Sequence, residues 1–437
     1  MRRRLLHLSS FSLLGAALIH CSADGTATQE DIDAGGPPAD GGSPPTDAGD
    51  ASLDDAAAPV EDAGQCSADQ WCRTVLPEPD LQLTAVWGFA ADDAIASSTG
   101  ALFHWNGAAW TAVDAAGTEG ITGLWASSPN DVWGISELNR RLVHGTRAGG
   151  GAPFTWTKLE YDVETTPTLD ILRGRGDSEL WTYGQLSGEH VLQRGTIATA
   201  NDADGGPVTT VSWTTLPIAL DDLRNVSAFW VTPDSKVWIA GTIAMGFSET
   251  GVVIFGSPRN DDPDRYDWEK VLEGTVAEPL RVSTVWSEGA ELWAIATAGE
   301  HYRGASDGDG GVGWTTVPSN TKTTMRSIWG RGSNDIWLAG EGGAIRHWDG
   351  SKWSVARLSI GGIPMWNDLY AIHAGPAGDV WAVGRGVALH RLVGGAPFRG
   401  APFRGAPFRG ASFRGAPFRG APFRGAPFRG APFRGAP

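Results

Sequence analysis

The chain has 437 residues, enough for one large closed domain or two to three average ones. It holds 60 Gly and 21 Trp but only 5 Tyr, a composition that suits many short strands joined by tight turns. A formal net charge of −16 argues against nucleic acid as a partner, because phosphate binding needs a concentrated positive surface.

Residues 1–20 read as an export signal. Met1-Arg2-Arg3-Arg4 is a positive n-region, and Leu5 to Ile19 is an apolar run too short to span a bilayer as a stable helix. Cys21 follows at once, and the chain turns polar directly after it. This arrangement resembles a bacterial lipobox, whose cysteine is acylated and becomes the new N-terminus. His20 departs from that pattern, which has Gly, Ala or Ser there. The resemblance implies a lipid anchor at Cys21 and a place in the bacterial cell envelope, at the outer membrane or cell surface, with plain secretion as the alternative. Residues 21–65 form an acidic Ala/Gly/Pro/Asp tether. From 22 to 65 there are eleven Asp or Glu, no Lys or Arg, and almost no large apolar side chain. Such a segment cannot bury enough surface to offset its ordering entropy, so it is expected to be disordered and extended.

Cys66 and Cys72 are the two remaining cysteines. In an exported protein they can pair as a disulfide and leave Cys21 free for acylation. Metal binding by the pair is not expected, since no His or Cys cluster lies near enough to complete a tetrahedral site.

The body, residues 66–394, is a repeat. A β-rich stretch ends in Trp, a polar turn follows, and a second Trp comes seven or eight residues after the first. Trp125 with Trp133 sets the pattern, repeated as Trp230 with Trp238, Trp286 with Trp293 and Trp329 with Trp337. Two copies replace the first Trp, with Arg173 before Trp181 and His373 before Trp381. The first copy keeps Trp87 and has Ala94-Ile95 at the second position. A third stretch and a turn then lead to a third Trp: Trp110, Trp156, Trp213, Trp268, Trp314 and Trp353. The first positions are 38, 48, 57, 56, 43 and 44 residues apart. Four strands per unit at that period predict an all-β, seven-bladed β-propeller of four-stranded blades. The longer units carry insertions at Asn201 to Pro207 and Arg259 to Asp267, before the fourth strand. The seventh unit lacks a fourth strand. Trp71-Cys72-Arg73-Thr74-Val75 resembles the fourth strand beginning Trp314-Thr315-Thr316-Val317, so an N-terminal strand is expected to complete the last blade and close the ring. The Trp rings are expected to fill the wedges between blades as core.

Residues 395–437 are a low-complexity tail. Ala-Pro-Phe-Arg-Gly occurs eight times from Ala396, with Ser412 once in place of Pro. Proline at every fifth position blocks helix and central strand, so disorder is expected. A related Gly151-Ala152-Pro153-Phe154 in the body suggests tandem duplication of a turn; a cationic, aromatic-dotted contact segment is the functional alternative.

The units resemble the Trp-rich, sialidase-like (BNR or Asp-box) propeller repeats of exported lipoproteins of the myxobacterial type. Asn334-Asp335-Ile336-Trp337 through His347-Trp348-Asp349-Gly350 to Trp353 carries the likeness. The Asp-box itself is only partly kept, nearest at Ser306-Asp307-Gly308-Asp309 before Trp314. A sialidase would need an arginine triad, a Tyr nucleophile and an Asp acid, and no Arg-Ile-Pro motif marks the first arginine. No cofactor is expected. Calcium is the one candidate, on the Gly-rich turns Asp202-Ala203-Asp204-Gly205 and Asp307-Gly308-Asp309-Gly310, but a full site wants six to eight oxygens and ordinary hairpin turns explain the same residues. If a ligand binds, the loops between second and third strands and between blades should form a funnel, with Arg140, Arg141, Glu189, Glu249, Glu300, Glu341 and Arg385 as its candidate residues. The reading that results is a monomeric, lipid-anchored, non-enzymatic binding module for envelope or extracellular protein or glycan partners. A glycan-active hydrolase or lyase on the same fold is the alternative.

Overall fold

The computed structural model describes residues 66–113, 120–136, 141–149, 152–159, 167–201, 207–289, 291–297, 299–306, 311–319 and 321–391. The signal segment with Cys21, the tether, the pentapeptide tail, Arg140 and both Asp-Gly turns lie outside the described residues.

The chain enters as β1 (Trp71–Arg73). Blade 1 is β2 (Leu83–Ala90), β3 (Asp93–Ser98), β4 (Leu102–Trp105) and β5 (Trp110–Ala112). Blade 2 is β6 (Ile121–Ser128), β7 (Asp131–Ser136), β8 (Arg141–Thr146) and β9 (Thr155–Leu159). Blade 3 is β10 (Ile171–Arg175), β11 (Glu179–Leu186), β12 (Glu189–Asn201) and β13 (Pro207–Pro217). Blade 4 is β14 (Leu223–Val231), β15 (Val237–Met245), β16 (Ser248–Pro258) and β17 (Tyr266–Glu273). Blade 5 is β18 (Val282–Glu288), β19 (Glu291–Ala296), β20 (His301–Ser306) and β21 (Val312–Val317). Blade 6 is β22 (Met325–Gly332), β23 (Asp335–Gly340), β24 (Ile345–Trp348) and β25 (Trp353–Val355). A small hairpin, β26 (Ser359–Ile360) with β27 (Ile363–Pro364), precedes blade 7, which is β28 (Leu369–Ala374), β29 (Val380–Gly384) and β30 (Val387–Arg391).

Each blade is a four-stranded antiparallel sheet, and β1 supplies the fourth strand of blade 7 in the order β1-β30-β29-β28. The first strand of every blade touches the first strands of both neighbours, including β28 against β2, so the first strands form a closed inner ring. The molecule is a seven-bladed propeller.

The register follows the tryptophan spacing. Trp125 pairs with Trp133, Trp230 with Trp238, Trp286 with Trp293 and Trp329 with Trp337. Arg173 pairs with Trp181, His373 with Trp381 and Trp87 with Ile95. Second strands are sandwiched between blades and buried on both faces, which is why runs such as Val380–Gly384 are apolar throughout. Adjacent blades approach closely because one inner-strand position is kept small. A Cβ at Gly174 would lie 2.0 Å from the Trp125 ring, and one at Gly330 2.5 Å from Trp286.

On the rim, an acid at the start of the second strand ties the blade together. Asp335 accepts from Trp337 Nε1 (2.8 Å) and Arg331 Nε (2.6 Å) and pairs with His347 Nε2 (2.9 Å). The His347 ring stacks on Trp337 at 4.0 Å. Burial opposes the Asp335 charge, but His347, Arg331 and Trp337 outweigh it and bring the pKa down to about 2. Asp131 with His144 on Trp133, and Asp379 with His390 on Trp381, repeat the arrangement.

The closing strand is stapled at its start by a Cys66–Cys72 disulfide. Trp71 is fully buried, edge-on to Trp337 at 5.8 Å, and Asp69 forms an ion pair with Arg357 of blade 6. Trp71→Ala is therefore expected to lower stability by about 3–5 kcal/mol. A chain beginning at Leu83 should melt lower still or aggregate through the bared edge of β30. An unchanged melting temperature in either would show that β1 does not close the ring.

Candidate functional site

One residue per blade, near the end of the first strand, holds the same place in the repeat: Trp87, Trp125, Arg173, Trp230 and Trp329 line a cavity at the channel, while Trp286 and His373 are buried beside them. The rings meet across the axis. Trp329 of blade 6 lies 5.0 Å from Trp87 of blade 1 and 5.5 Å from Trp230 of blade 4, and Trp230 lies 6.1 Å from Trp286. His373 closes the circle at 4.2 Å from Trp87 and 4.6 Å from Trp329. Edge-to-face contacts dominate, as the ring quadrupoles favour.

This aromatic plug floors a cavity of about 320 Å³. Trp87, Trp125, Ser127, Arg173, Trp230 and Trp329 line it, and Gly176 and Val231 place its mouth on the side of the first-to-second-strand turns. Arg173 is half-buried, with its guanidinium 6.0 Å over the Trp230 ring. Nη1 donates to the Leu172 carbonyl (3.0 Å), while Nε is buried with no acceptor. Desolvation drags its pKa down to about 10, so it remains a cation at neutral pH. His373 is buried, and its Nδ1 accepts the Gly88 amide (3.1 Å). Burial, then the Arg331 charge, push its pKa down to about 3, so the ring is neutral. A cation within aromatic walls can hold an apolar group and an anion; the lining carries no carboxylate to act as acid or base.

Of the funnel residues read from the sequence, the described ones lie at the opposite mouth, at the second-to-third-strand turns. Glu189, Glu249, Glu300 and Arg385 are exposed, Glu341 is half-buried in an ion pair with Arg326, and Arg141 begins β8. The described cavities do not bring two of them together; Arg385 alone lines one, of about 310 Å³, with Arg73, Asp80, Trp366, Asn367 and Asp368. Among the described residues no cluster of three His, Cys, Asp or Glu could hold a metal ion.

The expectation that the tryptophans are uniformly core needs correction. The second-strand rings are: Trp133, Trp181, Trp293 and Trp381 are fully buried. First-strand Trp87, Trp230 and Trp329 are only half-buried at the open axis, whereas first-strand Trp125 and Trp286 are buried against Gly174 and Gly330 of the next blade. The clue is in the repeat itself, since Arg173 occupies a position that a dry interior would not grant to an unpaired cation.

The family model for pentapeptide repeats matches residues 394–437, in 9 copies. None of the curated proteins matches the chain. Among solved structures, "YCF48 bound to D1 peptide" is similar with a TM-score of 0.52 at 15% identity, over 76% of this chain and 100% of that one. YCF48 from Cyanidioschyzon merolae is similar with a TM-score of 0.52 at 14% identity, over 74% of this chain and 98% of that one. At these identities the likeness is one of fold.

Two buried neutral histidines give the fold an acid limit. Besides His373, His301 is fully buried with both ring nitrogens unpartnered, and burial, then Arg346, pull its pKa to about 4. The unfolded chain takes up these protons below pH 6.5, the ordinary histidine value, while the folded chain resists until about 4 for His301 and about 3 for His373. The unfolded state thus binds more protons in this window, and stability falls as the pH falls. Thermal midpoints should drop from pH 6.5 toward pH 4, before the lowered carboxylates such as Asp335 titrate, and His301→Phe should flatten part of that slope. A midpoint constant across the window would mean that neither ring is held neutral.

Proposed function

We propose that this chain is an exported, lipid-anchored binding module of the bacterial cell surface. It would be held from the membrane by the acidic tether and would engage a protein partner at the aromatic mouth of its channel. The observation that carries the reading is the cavity of about 320 Å³ walled by indoles around Arg173. Half-buried indoles offer large rigid contact area at low entropic cost, as interface anchors do. The resemblance of the repeats to those of exported lipoproteins supports the envelope setting, as does the positive and then apolar start that leads to Cys21. One similar propeller, YCF48, holds a peptide by its description, which agrees with a peptide-binding use of the fold.

The alternative, a glycan-active hydrolase of sialidase type, requires paired carboxylates or a Tyr nucleophile beside an acid. The cavity lining offers Trp, Arg, Ser, Gly, Ala and Val, so the observation favours binding over hydrolysis.

A photo-reactive residue in place of Ser127, at the aromatic mouth, should crosslink a partner on intact cells, and one in place of Glu249, at the opposite mouth, should not. The reverse result would move the binding face. Trp230→Ala should reduce the Ser127 adduct at least about tenfold, the loss of one interface anchor. Fatty-acid labelling should mark the native protein and not Cys21→Ala; label in neither would remove the anchor.

A further inference from the structure

We infer that Arg173 anchors a carboxylate carried by an apolar group, so that the ligand entering the channel mouth is a chain end such as the C-terminal residue of a peptide. The inference rests on the binding reading above.

Arg173 differs from the other arginines around it. Arg175 pairs with Glu179, Arg147 with Asp93 and Arg331 with Asp335. Among the described residues, Arg173 has no carboxylate within ion-pair distance. Its Nη1 donates to a carbonyl of its own strand, and its Nε has no acceptor. Arg346 also has a buried unpartnered Nε, but it lines none of the described cavities. Arg173 does line one, and that cavity opens to solvent.

A desolvated cation without a counter-charge is costly, and a ligand that supplies the missing acceptor recovers that cost on binding. A planar guanidinium matches a carboxylate through two parallel N–H···O bonds. The remaining wall sets what carries the carboxylate. Trp87, Trp125, Trp230 and Trp329 supply ring surface, beside the backbone of Gly174, Gly176 and Gly330 and the Ser127 hydroxyl, which already donates to Asp131. A polyhydroxylated sugar acid would have to match many hydroxyls with the few side-chain polar groups of this wall, and each left unmatched out of water costs about 1–3 kcal/mol. An aliphatic or aromatic residue with a free terminal carboxylate brings only that carboxylate and one backbone amide to be matched. The chain as a whole is acidic, at −16, so attraction of an anion has to be local, and Arg173 is the cation at this wall.

The test is a titration of the full chain, followed by tryptophan fluorescence, with N-acetyl-leucine, N-acetyl-leucinamide and glucuronate. N-acetyl-leucine should bind saturably and about tenfold or more tighter than its amide, the difference expected for a charge-assisted pair out of water. Arg173→Met should erase that difference, and Arg173→Lys should keep part of it. Arg173→Met should melt at or above the native temperature, since it removes an unpaired cation. Equal binding of acid and amide, both blocked by Trp230→Ala, would overturn the carboxylate and leave the aromatic mouth standing. Glucuronate bound more tightly than N-acetyl-leucine would overturn the apolar chain end. No response to any probe would overturn both the inference and the site on which it rests. A melting temperature of Arg173→Met well below the native value would make Arg173 a structural element and overturn its role as anchor.

Discussion

Ring closure rests on three backbone pairs: Trp71 with Arg391, Cys72 with His390 and Arg73 with Leu389. They join the two ends of a body more than three hundred residues long, and the entropy of closing such a loop rises only with the logarithm of its length. What the pairing secures is geometric. With β1 in place, β28 lies against β2, and residues from the first and last blades meet at the axis. His373 then stacks on Trp87, the Gly88 amide finds His373 Nδ1, and the Trp381 ring fills the space where Gly88 has no side chain. Without the closing strand, β30 would present an unpaired edge at this seam.

Close contact between blades depends on pairing a large ring with an absent side chain. Gly174 accepts Trp125, Gly330 accepts Trp286 and Gly88 accepts Trp381. These three glycines each follow a channel-facing residue directly in sequence: Arg173, Trp329 and Trp87. The same local sequence thus seats the wedge between two blades and aims the next side chain at the axis. Packing and channel chemistry are coupled at neighbouring positions, so the channel residues are held by the core and not by loops. Such sites are positioned more sharply than sites on flexible turns.

Much of this was legible in the sequence, for a physical reason. Cross-strand partners such as Trp125 and Trp133 are a fixed number of residues apart because a tight turn joins them, and a tight turn has few lengths. Trp71 was legible as a displaced fourth strand because the run it opens resembles the fourth-strand run that opens at Trp314, and it pairs with the end of β30 as Trp110 and Trp353 pair with the ends of their third strands. The two populations of tryptophan were not legible from spacing. Trp329 and Trp337 face each other across one hairpin, yet the first is half-buried at the axis and the second sealed against Trp71. That difference arises from how blades converge in three dimensions. The charged turns at Glu189, Glu249 and Glu300 are a separate case. They share a mouth, but each extends from its own blade, and shared polarity does not make side chains converge.

The inner ring also bears on how stability and binding divide the protein. Five of its seven positions are indoles and one is a neutral imidazole, all able to bury surface against one another. An indole at the third position would extend that packing and remove a desolvated charge. Arg173 is therefore the ring member whose presence packing does not explain. Of the buried cations, Arg147 is neutralised by Asp93 between Phe89 and Phe154, whereas Arg346, like Arg173, keeps a buried Nε with no acceptor but lines none of the described cavities. Arg173 instead faces a cavity open to solvent, lined by four indoles together with Ser127, Ala126, Val231 and three glycines. An interior charge facing a cavity is the mark of a site whose complement arrives from outside, because folding alone gains nothing from it.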